Sequence, residues 1–268
     1  MELQSAASPH LPMSWSGKFG GKSAVWPDGS SHLEELQRKL ALQWRDQPAW
    51  HPQAGRSPLV GAAFATTFRG LAGTGAAGDP AWVAAVLWLE GRLVKSVVLT
   101  GSFDAPYVPG LLALREGRLL QEAVLALGGT IDVLMVDATG RDHPRGAGLA
   151  VHLGAACDVP TIGVTDRPLL ATGAEAGTRR GAAAELRLGG ELVGYRLRTR
   201  VGARTVVVHA GWRIDAGTAC ELVLGVTGDS RTPEPLRQAR RLARTSRSHS
   251  PSVRPAWNHS GSAGRDRG

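Results

Sequence analysis

The chain has little of what would place it in a membrane or an oxidising compartment. Only two of its 268 residues are cysteines, Cys157 and Cys220. Both lie in stretches with helical patterning, which argues against a disulfide-built scaffold and suits a cytosolic protein with free, buried thiols. No stretch approaches the roughly 18 consecutive apolar residues of a membrane span. Met1 to Val25 mixes Ser, Gly, Lys and Pro and holds no apolar run suited to a signal peptide. The expectation is a cytoplasmic monomer with no membrane partner.

What is present suffices for a packed core. The chain is 43% hydrophobic, an ordinary globular value, and its length allows one sizeable domain with extensions or two small ones. The net charge of +8 is unevenly spread, because nine arginines against three acids between Asp229 and Gly268 account for most of it. The excess therefore reads as a tail rather than a patch on the folded domain. Such a tail either adds sequence-independent attraction to phosphates, weakening as salt rises, or is simply solvated.

Hydrophobic spacing divides the chain into elements. A helix starts near Ser31, where Ser31 and Glu34 have capping-box spacing and Leu33, Leu36, Leu40 and Trp44 recur at helical intervals. Three strand-like runs follow, Leu59 to Phe68, Trp82 to Leu89 and Leu93 to Thr100, the last two joined through Glu90-Gly91-Arg92. Helical spacing returns from Leu111 to Leu127. Val133 to Val136 is a short apolar run between Asp132 and Asp137 and reads as a buried parallel strand. A helix over Gly146 to Ala156 and a buried strand over Thr161 to Thr165 come next. Beyond them the pattern predicts a hairpin over Glu185 to Thr199 turning at Gly189-Gly190, a strand at Thr205 to His209, and helices at Ala216 to Val226 and Glu234 to Arg244. Thr232 as cap and Pro233 as first helical residue mark the last start. This order predicts an α/β fold, a ribonuclease-H-like mixed sheet flanked by helices. The expected boundaries are a disordered leader over 1–28, a domain over 29–245, and a disordered Arg/Ser-rich tail over 246–268.

Chemistry-bearing residues cluster in the middle of the chain. Pro106-Tyr107-Val108-Pro109-Gly110 is a stiffened loop with an aromatic ring at its tip. It serves either to stack on bases or as a surface tyrosine packed by a turn. Glu116 lies in the first turns of the helix that follows, as a candidate ligand or as a solvated partner of Arg115 or Arg118. Asp137 closes the apolar strand, where ligand sites in open α/β sheets form and where carboxylates from separate elements can hold Mg²⁺; a turn residue is the plainer reading. The loop from Asp137 to Gly148 holds three glycines, His143, Arg141, Arg145 and two acids. Its backbone can approach a ligand closely, and His143 and Arg145 can donate to phosphate. His152 reads as a packing residue.

These pieces together resemble the endonuclease V family. Tyr107-Val-Pro-Gly110 followed by Leu111 to Arg115-Glu116 is similar to the family's wedge loop and acidic helix. Asp137 to Gly140, His143-Pro-Arg145-Gly146 and Gly148-Leu-Ala150-x-His152-Leu-Gly154 resemble its central block, and Asp158-x-Pro160-Thr-Ile-Gly163-Val the strand after it. The likeness runs from about Ser31 to Arg244. It implies a Mg²⁺-dependent endonuclease, with Mn²⁺ as a substitute, that cuts DNA or RNA one bond beyond inosine or another damaged base. It further implies that Asp137 binds the metal, Glu116 holds the metal's water, His143 acts near the cleaved phosphate, and Tyr107 is the wedge. Gly110, Gly140 and Leu169 would line the pocket for a flipped base, and Arg145 would contact substrate.

The pattern breaks at four places. Ala65 stands where the family has a metal-binding aspartate, Asp166 where it has a lysine, Ala138 where it has a glycine, and Trp212 where a late histidine follows glycine. The number of carboxylates is kept if Asp166 joins Asp137 and Glu116 around the metal; capping the turn into Arg167-Pro168 is its other role. A binding protein that does not cut, and a hydrolase of small molecules or nucleotides reusing the site, are the competing readings.

Overall fold

The computed structural model describes residues 26–68 and 75–250, so residues 1–25 of the expected leader and 251–268 of the expected tail lie outside the described residues. In chain order the elements are α1 (Ser30–Asp46), β1 (Val60–Thr66), β2 (Pro80–Leu89), β3 (Arg92–Ser102), α2 (Leu112–Leu127), β4 (Val133–Val136) and α3 (Leu149–Cys157). They continue with β5 (Thr161–Thr165), β6 (Ala183–Leu188), β7 (Glu191–Leu197), β8 (Val206–Ala210), α4 (Ala216–Gly225) and α5 (Glu234–His249). One eight-stranded sheet has the order β3-β2-β1-β4-β5-β8-β7-β6. Its centre, β1-β4-β5, is parallel, and antiparallel strands extend it on both sides. This is the mixed, helix-covered sheet of the ribonuclease-H-like class.

The centre is apolar on both faces because both are covered. Val60, Ala62, Phe64, Val133, Met135, Ile162 and Val164 face α4 and α5 through Val223, Leu236, Ala239 and Ala243. Ala63, Leu134 and Val136 face α2 and α3 through Leu120, Ala123, Leu127 and Leu153. Ala63 pairs with Val136 and Val136 with Gly163, so the chain leaves β1, β4 and β5 at the same edge, next to Ala65, Asp137 and Asp166. Among the described residues no helix is long and apolar enough to cross a membrane.

Several local expectations change. The capping box does not form: α1 has Gly29 at its cap and no side-chain cap bond, while Glu34 pairs with Arg38 and Arg145. Helix α3 starts at Leu149 rather than Gly146, whose φ of +69° is outside helical space. Pro233 rather than Thr232 caps α5. That helix also runs past Arg244 and Thr245 to His249, because its last turn is held from the sheet. Arg247 donates to Thr66 Oγ1 at 3.0 Å and to the Thr67 carbonyl at 2.9 Å, and Trp82 Nε1 donates to Ser250 Oγ at 2.8 Å. Arg237, Arg240, Arg241, Arg244 and Arg247 therefore belong to a helix of the domain, and the positive charge is in large part a patch and not a tail. At the other end, Trp26, placed in the leader by the sequence, stacks on His152 at 4.3 Å and donates to Gln121 at 2.5 Å.

The Asp137 loop is held down on β5 by a close approach. A Cβ added to Gly163 would lie 2.3 Å from the Ala138 carbonyl oxygen. Gly163→Ala is expected to cost about 1–3 kcal/mol as an overpacked site, read from urea unfolding. A loss below about 0.5 kcal/mol would mean that the loop shifts freely and that the contact does not position Asp137.

Candidate active site

Beyond the carboxyl ends of β1 and β4 lies a pocket of about 150 Å³ lined by Ala65, Tyr107, Glu116 and Asp137 among others. Four positions that the sequence singled out separately thus share one space. A larger cavity of about 680 Å³, around Trp88, Glu90 and Thr227, sits at the far end of the sheet, where Trp88 pairs with Val60 at the start of β1. It gathers none of these residues.

Glu116 is not the solvated helix residue of the plainer reading. Arg115 is buried and committed to Asp79 at 2.9 Å and to the Ala76 and Ala105 carbonyls, and Arg118 binds Asp104 and Glu122. Desolvation, and next the charge of Asp137, push the Glu116 carboxyl up to about 8 against a smaller lowering by Arg115. It therefore holds its proton near neutral pH.

Asp137 is also raised by desolvation, but Arg240, reaching over from α5, pulls the other way through an ion pair at 2.9 Å. Asp166 behaves differently. Its side chain is 60% exposed and pairs with Arg231 at 2.6 Å, and that hydrogen bond holds it below the usual carboxylate range. Among the described residues no group of three or more His, Cys, Asp or Glu side chains is placed to hold one ion. The three-carboxylate arrangement expected of Glu116, Asp137 and Asp166 is thus not formed. Two carboxylates, Asp137 and Glu116, share the pocket and repel, which is a donor set that one hard cation keeping several waters fits.

The flanking loops are pinned by buried polar groups. The Gly110 carbonyl accepts from Gln37 Nε2 at 3.2 Å, from Arg145 Nη2 at 2.9 Å and from His143 Nε2 at 3.1 Å. His143 Nδ1 accepts from the Arg145 amide, so the proton sits on Nε2 and the ring is neutral. Burial draws its pKa down to about 4. His143 and Arg145 hold the Tyr107 loop here instead of facing open solvent, and Arg145 is further bound to Gln37 at 2.6 Å. Tyr107 remains 42% exposed on that loop. Gly140 has a structural reason to be glycine, since a Cβ there would lie 2.1 Å from the Ala210 carbonyl oxygen. Leu169, 41% exposed, sits on a segment tied down by buried Asp142, which accepts the Leu169, Leu170 and Ala171 amides at 2.7–2.8 Å.

Of the four altered positions, Ala65 lines the pocket and the other three do not. Trp212 packs with Leu40, Trp44 and Val151 and bonds Thr161, at the opposite end of β5 from Asp166. Ala138 is buried in the core. Sequence reasoning missed Arg240, Arg231, Asp142 and Gln37. Only for Arg240 was a signal present, because Arg237, Arg240, Arg244 and Arg247 recur at helical spacing.

The Endonuclease V family model matches residues 70–241, which leaves Ala65 outside the matched range. Endonuclease V of Nocardia farcinica is 49% identical over 153 residues, covering 56% of this chain and 66% of that protein, just under two thirds of its length. Endonuclease V of Methanopyrus kandleri is 40% identical over 228 residues, covering 83% of this chain and 92% of that protein. The crystal structure of endonuclease V from Streptomyces avermitilis superposes with a TM-score of 0.71 at 33% identity, covering 83% and 95% of the two chains. The catalytic domain of human endonuclease V gives 0.67 at 26% identity, covering 81% and 97%.

The Glu116 shift carries a sign for stability. Below its ordinary value of 4.5 the carboxyl is protonated in both folded and unfolded chains. Between 4.5 and about 8 the unfolded chain ionises while the folded one keeps its proton, so wild type loses stability as pH rises through that window. Glu116→Gln cannot ionise and escapes the loss. Its melting temperature should exceed that of wild type by more at pH 8 than at pH 5, by about 2–4 °C per kcal/mol recovered. Parallel pH profiles would show that Glu116 is not desolvated.

Proposed function

This chain belongs to the endonuclease V family, and we propose that it is a DNA-repair endonuclease hydrolysing a phosphodiester beside inosine or another damaged base. The observation that carries this reading is the pocket shared by Tyr107, Glu116 and Asp137 at the ends of the parallel strands. Asp137 and Glu116 would hold Mg²⁺ or Mn²⁺, which when bound supplies Lewis-acid polarisation of the phosphate and eases deprotonation of water. Glu116 would bind the ion as a carboxylate, giving up the proton that it keeps in the ion-free pocket. Tyr107 offers an exposed ring for stacking where a base leaves the helix, and a mismatched base costs less to extrude. His143 and Arg145 set the position of that ring through Gly110. Leu169 offers an apolar surface to the displaced base. A cytoplasmic monomer acting on DNA, with RNA as a second substrate to compare, completes the reading.

One observation favours a second reading, binding without cutting. Arg240 already neutralises Asp137, and Ala65 contributes no carboxylate.

The test uses the full chain with labelled duplexes, with and without inosine, in Mg²⁺, Mn²⁺ or chelator. A metal-dependent cut one bond beyond inosine is expected, and Glu116→Gln and Asp137→Asn should each lower it by about 10²-fold or more. Inosine-selective binding without a cut in either metal selects the second reading, and absence of any inosine preference rejects both. Calorimetric titration of Mn²⁺ into Arg240→Gln separates them further. If Arg240 competes with the ion, affinity should rise about tenfold, equivalent to about 1.4 kcal/mol; unchanged affinity would remove the competition.

A further inference from the structure

The outward side of α5 is charged well beyond what the fold uses. Its buried residues are Pro235, Leu236, Ala239 and Ala243, and these make its seat on the sheet. Beside them runs a groove of about 440 Å³ lined by Arg237, Arg240, Arg241 and Arg244 together with three hydroxyl side chains, with no carboxylate in the lining. Like charges three and four residues apart on a helix repel and destabilise it. Two of the four are answered within the protein, Arg237 by Glu234 and Arg240 by Asp137. Among the described residues, the other two are not paired with an acid. Arg241 donates to neutral Gln238 at 3.0 Å, and the Arg244 guanidinium rests 5.4 Å from the centre of the Phe64 ring.

Resting on the endonuclease reading, we propose that this groove is the seat of the nucleic-acid backbone beside the pocket, with Arg241 and Arg244 as its phosphate contacts. Guanidinium groups present paired donors that match phosphate oxygens, and the three hydroxyls add further donors. The position is right: Phe64, beneath Arg240 and Arg244, also lines the pocket that holds Asp137. Arg240 lines the groove and binds Asp137, so the two spaces adjoin. The length argues for a strand over an isolated anion. From Arg237 to Arg244 the helix rises about 10 Å, which matches two or three phosphates at about 3.4 Å of axis each. The contacts are to backbone alone, so they add affinity without reading the base.

The test measures binding of the full chain in chelator to an inosine duplex and to the same duplex without inosine, across a salt series. The variants are Arg241→Gln with Arg244→Gln, and Arg241→Lys with Arg244→Lys. The Gln pair should make the slope of log affinity against log salt shallower by about 1.8 on both duplexes, leaving the ratio between them unchanged. The Lys pair should keep most of the wild-type slope. A wild-type slope in the Gln pair overturns the proposal. So does a Lys pair that falls as far as the Gln pair, because the loss would then come from packing on Phe64. A wild type that shows no inosine preference, with the Gln pair still losing slope, defeats the endonuclease reading and leaves the groove standing.

Discussion

A carboxylate taken out of water at the end of a covered strand needs a positive partner or a proton, and the site is organised around that demand at Asp137. The residue follows four wholly buried ones on β4, so its backbone position is set by the core. Burial lifts its pKa, and Arg240 counters from α5. The arginine can do so only because α5 is seated on β1 and β2 by its own apolar side and pinned at its end by Arg247 and Ser250. Breaking such a pair strands a buried charge, so helix and strand end are coupled. Glu116 meets the same demand from the opposite face by keeping its proton.

The loops obey the same rule with neutral groups. The Gly110 carbonyl has three donors around it, brought from α1 and from the loop after β4, and Gly110 itself has a φ of +80°. That turn aims the Tyr107 loop at the pocket, and Gln37 ties it to a helix far away in sequence. Buried Asp142 performs the matching task for the segment carrying Leu169, using three backbone amides. One carbonyl and one carboxylate thus position the segments that expose Tyr107 and Leu169.

What was legible in the sequence is what local pattern decides. β4 and β5 were read to the residue because both are short apolar runs between turn formers, and the Gly189-Gly190 turn falls between β6 and β7 as expected. Tyr107, Glu116 and Asp137, which share one pocket, were picked out because several motifs stand in order. What escaped depends on partners distant in the chain. The last turn of α5 has poor helix formers and is kept by contacts to Thr66, Thr67 and Trp82. Trp26 sits in a stretch that reads as leader until His152 is seen beneath it. Asp166 ends a strand beside Asp137 as anticipated, but no local signal announces Arg231, which holds it. The arginines of α5 were counted correctly and placed wrongly, because composition does not distinguish a tail from a helix face.

Ala65 and Arg240 bear on the charge of the site in the same direction. Where the family resemblance places a third acid, this chain has a methyl group, and α5 supplies a guanidinium to Asp137. Two carboxylates remain, one keeping its proton near neutrality and the other paired, so the pocket is close to neutral before any ion enters. A pocket with three free carboxylates would draw a divalent cation from water by charge alone. On the proposed reading, a cation held by Asp137 and Glu116 would have to displace Arg240 from the one and the proton from the other. An incoming phosphate faces the reverse situation, because the groove beside Phe64 already offers it positive charge. If Arg240 turns from Asp137 toward that phosphate, Asp137 is freed for the metal, and substrate and ion then assist each other's entry. Backbone binding before metal loading is the order that this distribution of charge favours.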